Sequence, residues 1–184
     1  GDDRRWTLFG YLFVLDLVVV SLAHSLRRPW ITAGALLGTT AFQLHWFQVH
    51  AGAPDGPFAA SMLLAFGLLF SLSVGHVRVR APFSAEALAP PLALGVLALA
   101  GQAPGVELDA WWVAGSVVVL QLAARALAER TRVPWLPSST AAASVLLLTV
   151  LVFGDSAPRD PAPFGIAVAA IGVGLGAYVG PARL

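Results

Sequence analysis

RWTLFGYLFVLDLVVVSLAHSLRRPW, residues 5–30, is an apolar run of membrane-crossing length with a single acid, Asp16, near its middle. A bilayer core about 30 Å thick needs about 20 apolar residues in helical form. The run meets that length. It opens on Trp6 and closes on an Arg-Arg-Pro-Trp group, so the interfacial and charged residues sit at its ends. Shifted by 105 positions, AWWVAGSVVVLQLAARALAERTRVPW (110–135) matches it at ten of 26 positions. Trp6 falls on Trp111, Gly10 on Gly115, Arg27 on Arg132, Pro29 on Pro134 and Trp30 on Trp135. Apolar bias does not bring the rarer Trp, Arg and Pro together at one offset, so the chain reads as an internal duplication.

The rest of the chain has the same character. Hydrophobic residues make up 58% of it and charged residues 11%, against roughly 25% charged in soluble domains. Mean hydropathy is +0.78. There is no Cys, so disulfides, thiolate nucleophiles and Cys-ligated metal centres are excluded. No Lys occurs either, which excludes Schiff-base chemistry and with it a retinal-bearing protein. The net charge of +1, with basic residues scattered rather than clustered, gives no footprint for nucleic acid. All basic residues being Arg, among abundant Ala, Gly, Val and Pro, fits a GC-rich bacterial source and a multi-pass protein of the inner (plasma) membrane.

Apolar segments of spanning length fall at 6–24, 30–49, 57–76, 86–102, 110–128, 136–154 and 163–180. The expected fold is therefore an all-α integral membrane protein of seven transmembrane helices. The fourth segment is the shortest and carries Pro90 and Pro91, which favour a helix start or a break. Charge argues that it crosses. With seven crossings, eight Arg lie on one side (27, 28, 78, 80, 125, 130, 132 and 183) and three on the other (4, 5 and 159). Without that crossing the bias disappears. Arg-rich short loops mark the cytoplasmic side, placing the amino terminus outside and the carboxyl terminus in the cytoplasm.

The duplication divides the chain into residues 1–80 as a first three-helix repeat, 81–105 as a linker helix and 106–184 as a second repeat. Four crossings separate equivalent helices, so the halves point the same way, about a pseudo-twofold axis along the membrane normal. In layout this 3-1-3 order is similar to that of the SWEET and PQ-loop transporters. No Pro-Gln motif is present, and no residue role is carried over.

Asp16 has Gln121 as its counterpart, and both lie about ten residues, roughly 15 Å, from their outer Trp, near the bilayer midplane. Ionisable groups at that depth face the protein interior and mark solute or proton paths, or else bind a neighbouring helix. On the second helix Thr32, Thr39, Gln43 and His50 fall within about 20° of one line. Thr39 and Gln43 share the depth of Asp16.

The expected site joins Asp16, Gln121, Thr39 and Gln43 around a small solute, with protonation of Asp16 coupling movement to a proton gradient. The alternative is a non-catalytic accessory, scaffold or sensory subunit of a larger membrane complex.

Other motifs carry less. His24 and His76 end the first and third helices on one side and read as interfacial, so no cofactor or metal is expected. Ser116 in AGSVV lacks the following Gly of rhomboid-type intramembrane proteases, and no HExxH or nucleotide fingerprint occurs, so no enzyme activity is expected. Gly172, Gly176 and Gly180 repeat every four residues, the pattern of a close helix contact within the bundle or of a homodimer seam. The expected partners are membrane lipids, a small solute, and a second copy or another membrane subunit.

Overall fold

The computed structural model describes residues 2–50, 56–74, 85–102, 106, 108–131, 133, 135–153 and 161–176. Seven α-helices occur among them, and no strand. They are α1 (Asp2–Leu26), α2 (Pro29–His50), α3 (Gly56–Val74), α4 (Ala89–Ala100), α5 (Ala110–Thr131), α6 (Leu136–Phe153) and α7 (Ala162–Gly176). Within α1, α3, α5 and α6 lie segments long and apolar enough to cross a membrane. α2 has the length at 22 residues but carries Thr32, Thr39, Thr40, Gln43, His45, Gln48 and His50. α4 and α7 are apolar and shorter.

Local sequence sets the helix ends. Pro29, Pro57, Pro90, Pro137 and Pro163 all stand in first turns, where the missing N–H is not needed and φ is already helical. Pro90 and Pro91 thus start α4 rather than break it. Asp109 caps α5, its Oδ1 accepting from the backbone N–H of Trp111 at 2.8 Å and of Trp112 at 3.2 Å. α1 ends at Arg27, whose φ of 52° turns the chain. The N–H of Arg28 donates to Ala23 O and that of Arg27 to His24 O, which closes the last turn.

α4 sits at the centre. It packs against α2, α3, α5 and α6, and Ala89, Ala93, Leu94, Val96, Leu97, Ala98 and Ala100 are all buried. Its 12 residues and the preceding 3-10 turn, Ala85–Leu88, together rise about 26 Å, which explains why the fourth apolar segment is short. α1 is at the periphery, packing closely only on α2 and α3. At one end of this group Phe9 lies within ring contact of Phe42, Trp46, Phe47 and Phe58, and Trp6 meets Phe58 edge-on at 4.7 Å. Such edge and offset contacts suit the ring quadrupoles and hold the three helix ends together.

At Gly67 α3 lies close against both α4 and α5. A Cβ there would stand 3.0 Å from Ala93 Cβ and 3.1 Å from Leu120 Cδ2. On α7 the close contact is made by Gly174, whereas Gly172, which heads the four-residue repeat, is exposed with open space around it. A contact through Gly172 inside the bundle is therefore not formed. Gly180 lies outside the described residues.

Candidate functional site

Asp16, Thr39, Gln121 and Ser144 each lie within two residues of the midpoint of their own helix. All four side chains are buried. Thr39 Oγ1 donates to Asp16 Oδ2 at 2.6 Å, joining α2 to α1. Gln121 Nε2 donates to Ser144 Oγ at 3.4 Å, a longer and weaker bond, joining α5 to α6. Ser144 in turn donates to the carbonyl of Thr140 at 2.8 Å. The two pairs have the same sequence separation of 23, and 105 positions carry Asp16 onto Gln121 and Thr39 onto Ser144. The offset read from Trp, Arg and Pro thus also relates two hydrogen-bonded pairs.

The four residues expected to converge are divided between two seams. Asp16, Thr39 and Gln43 lie at or beside the α1–α2 contact, and Gln121 lies among α5, α6 and α7. α1 and α5 are not among the closely packed helix pairs. Ser144 was hidden in the sequence because a lone membrane Ser reads as a back-bonding residue. Extending the 105 offset from Thr39 is the signal that finds it.

Beside the first pair runs a crevice between α2, α3 and α4, lined by Thr39, Thr40 and Gln43 among Leu36, Phe66 and Ala93. It offers about 10 Å³ to the centre of a water-sized sphere, roughly what one water needs. Gln43 is buried, and its Nε2 has no hydrogen-bond partner among the described residues. Asp16 is not part of the crevice wall. Beside the second pair, Gln121 Oε1 is buried with no partner among the described residues and faces α7, where a Cβ at Gly174 would lie 2.8 Å from it. Glycine lets that backbone approach the carboxamide.

The remaining polar residues are dispersed. Thr32 shares the buried face of α2 with Thr39 and Gln43, while His50 at the helix end is exposed and stacks on Trp46 at 5.8 Å. His24 and His45 are exposed, and His76 lies outside the described residues. Ser116 donates to the carbonyl of Trp112. Among the described residues no three His, Asp or Glu side chains are grouped to hold a metal ion.

Comparison with protein-family models, with curated proteins and with solved structures finds no match.

Proposed function

We propose that the chain is a non-catalytic scaffold or accessory subunit of a multi-pass assembly in the bacterial inner membrane. It is built from two like-oriented three-helix units, residues 1–80 and 106–184, around a linker helix. The Arg bias supports an external amino terminus. The observation that carries the reading is that both mid-helix polar residues, Asp16 and Gln121, bond to the next helix of their own half. Used this way, a polar side chain fixes the depth and rotation of its neighbour, because a polar atom in hydrocarbon keeps whatever partner it has. The crevice beside α4 has room for about one water, too little for a solute to pass without large rearrangement.

A carrier is the second reading, and Gln43 is what favours it. Gln43 lines the same crevice as Thr39 and Thr40, and its buried Nε2 has no partner among the described residues, so a hydrogen-bond acceptor reaching it would find a donor next to the Asp16–Thr39 pair. In that reading Asp16, Thr39 and Gln43 form one arm of the solute path, Gln121 the other, and Asp16 takes up the coupled proton.

Proteoliposomes loaded with a pH-sensitive dye separate the two. The scaffold reading expects proton entry equal to that of empty vesicles, for the wild type and for Asp16→Asn alike. Proton flux in the wild type that Asp16→Asn abolishes would overturn it in favour of the carrier.

A further inference from the structure

Two polar side chains of α2 take no part in the interhelical pairs. Gln43 is 3% exposed, and its Nε2 has no hydrogen-bond partner among the described residues. Thr40 stands three residues before it on the same side of the helix, a spacing that sets the Cβ atoms about 5–6 Å apart. Hydroxyls elsewhere on these helices donate to a carbonyl four residues back, as those of Ser71 and Thr140 do. Thr40 makes no such bond among the described residues. Both side chains line the crevice between α2, α3 and α4.

The same offset that relates the two pairs separates these residues from them. It carries Thr39 onto Ser144, but Thr40 onto Val145 and Gln43 onto Leu148. Polarity is therefore repeated where two helices are joined and not at the crevice. A carboxamide buried in an apolar seam with no protein partner is unfavourable, and a leucine in its place is not. What satisfies Gln43 and Thr40 comes from outside the chain.

The crevice limits what that can be. It offers about 10 Å³ to the centre of a water-sized sphere, the lower end of what one water needs. Apart from Thr39, Thr40 and Gln43 its lining side chains are apolar, so no Arg holds an anion there and no carboxylate a cation. A lipid chain has no atom to accept from an amide N–H. A water has two lone pairs and two hydrogens: it can accept from Gln43 Nε2 and donate to the hydroxyl oxygens of Thr40 and Thr39. The Thr39 hydroxyl gives its own proton to Asp16 Oδ2 and keeps lone pairs to accept with. These contacts meet the two to four partners a buried water takes.

We infer that the crevice is a binding site for one ordered water, held by Gln43 and Thr40 against Thr39. The water extends the Asp16–Thr39 pair into a hydrogen-bonded chain that runs from the α1–α2 seam to the meeting of α2, α3 and α4. This goes beyond the assembly reading and does not depend on it. Asp16-dependent proton flux removes that reading and leaves the water site, whereas a dry crevice removes the site and leaves the reading.

Hydroxyl radicals generated by X-rays arise from water, so they oxidise side chains beside a bound water and spare dry ones. The full chain in nanodiscs is irradiated, and oxidation is located by mass spectrometry. Leu36 and Leu63 are buried and line the crevice, while Leu97 and Leu147 are buried and do not. Label is expected on Leu36 or Leu63 and not on Leu97 or Leu147. Combining Thr40→Val with Gln43→Leu installs the residue types found at 145 and 148. That variant is expected to lose the crevice label while its unfolding midpoint is retained or raised. Crevice leucines no more oxidised than Leu97 and Leu147, or a label that persists in the double variant, overturns the inference. A second measurement needs no variant that must fold: with isotope-labelled glutamine, the Gln43 carboxamide protons of the wild type are expected to receive magnetisation from water. Transfer from lipid acyl protons in its place, or from neither, contradicts the site.

Discussion

Replacing Thr39 by Val takes away the hydroxyl that donates to Asp16 Oδ2 while keeping the side chain's shape. The acid, 3% exposed near the middle of α1, is then left without that donor in an apolar seam. Stranding a buried acceptor costs about 1–3 kcal/mol. The reverse change, Asp16→Leu, has a different sign of consequence, because it removes the group that is expensive to bury. The freed Thr39 hydroxyl can turn to the carbonyl four residues earlier, as Ser144 does to Thr140. Asp16→Leu is therefore expected to be close to neutral, and Thr39→Val in that background to cost little more. A double-mutant cycle on reversible unfolding in mixed micelles should return a coupling equal to most of the Thr39→Val loss, about 1–1.7 kcal/mol, the upper part of the range for interhelical bonds in membranes. Additive losses with no coupling, or Asp16→Leu proving the costlier single change, would refute the reasoning.

Four further outcomes are expected. Gly67→Val, which pushes a branched side chain into the 3.0 Å approach to Ala93 and the 3.1 Å approach to Leu120, should lower the unfolding free energy by about 1–3 kcal/mol. Gly115→Ala, at an open site on α5, should be neutral or raise it by up to about 1 kcal/mol in the same assay. Arg27→Gly relieves a non-glycine residue at φ 52° and should stabilise the α1–α2 turn by about 1 kcal/mol or less, read as a rise in thermal midpoint. For orientation, a membrane-impermeant thiol reagent applied to whole cells should label Ala53→Cys at once and Ser84→Cys only after permeabilisation, as the Arg distribution requires.

Helix placement was legible because membrane length, first-turn prolines and interfacial Trp all act within a single segment. The spans read at 30–49, 110–128 and 136–154 correspond to helices at Pro29–His50, Ala110–Thr131 and Leu136–Phe153. The depth match of Thr39 with Asp16 was legible for the same reason, since counting residues along a helix gives height. What does not follow from one helix is which face meets which neighbour. In a membrane both sides of a helix are apolar, so hydropathy cannot distinguish the Leu120 face, which is buried, from the Leu15 face, which is open. That is why Asp16 and Gln121, each near the middle of its helix and 105 positions apart in the matched segments, are expected at one site and instead occupy separate seams. The same ambiguity affected α7, where glycine spacing singled out Gly172 but contact geometry selects Gly174.

If the two polar pairs are equivalent fasteners in equivalent units, each should work in the other's place. The direct measurement is the unfolding midpoint of a chain in which Asp16→Gln and Thr39→Ser are combined with Gln121→Asp and Ser144→Thr. Retention of the wild-type midpoint, to within the roughly 0.6 kcal/mol of one interhelical bond, is predicted. A chain that no longer folds, while Asp16→Asn and Ser144→Thr alone are tolerated, would contradict the equivalence.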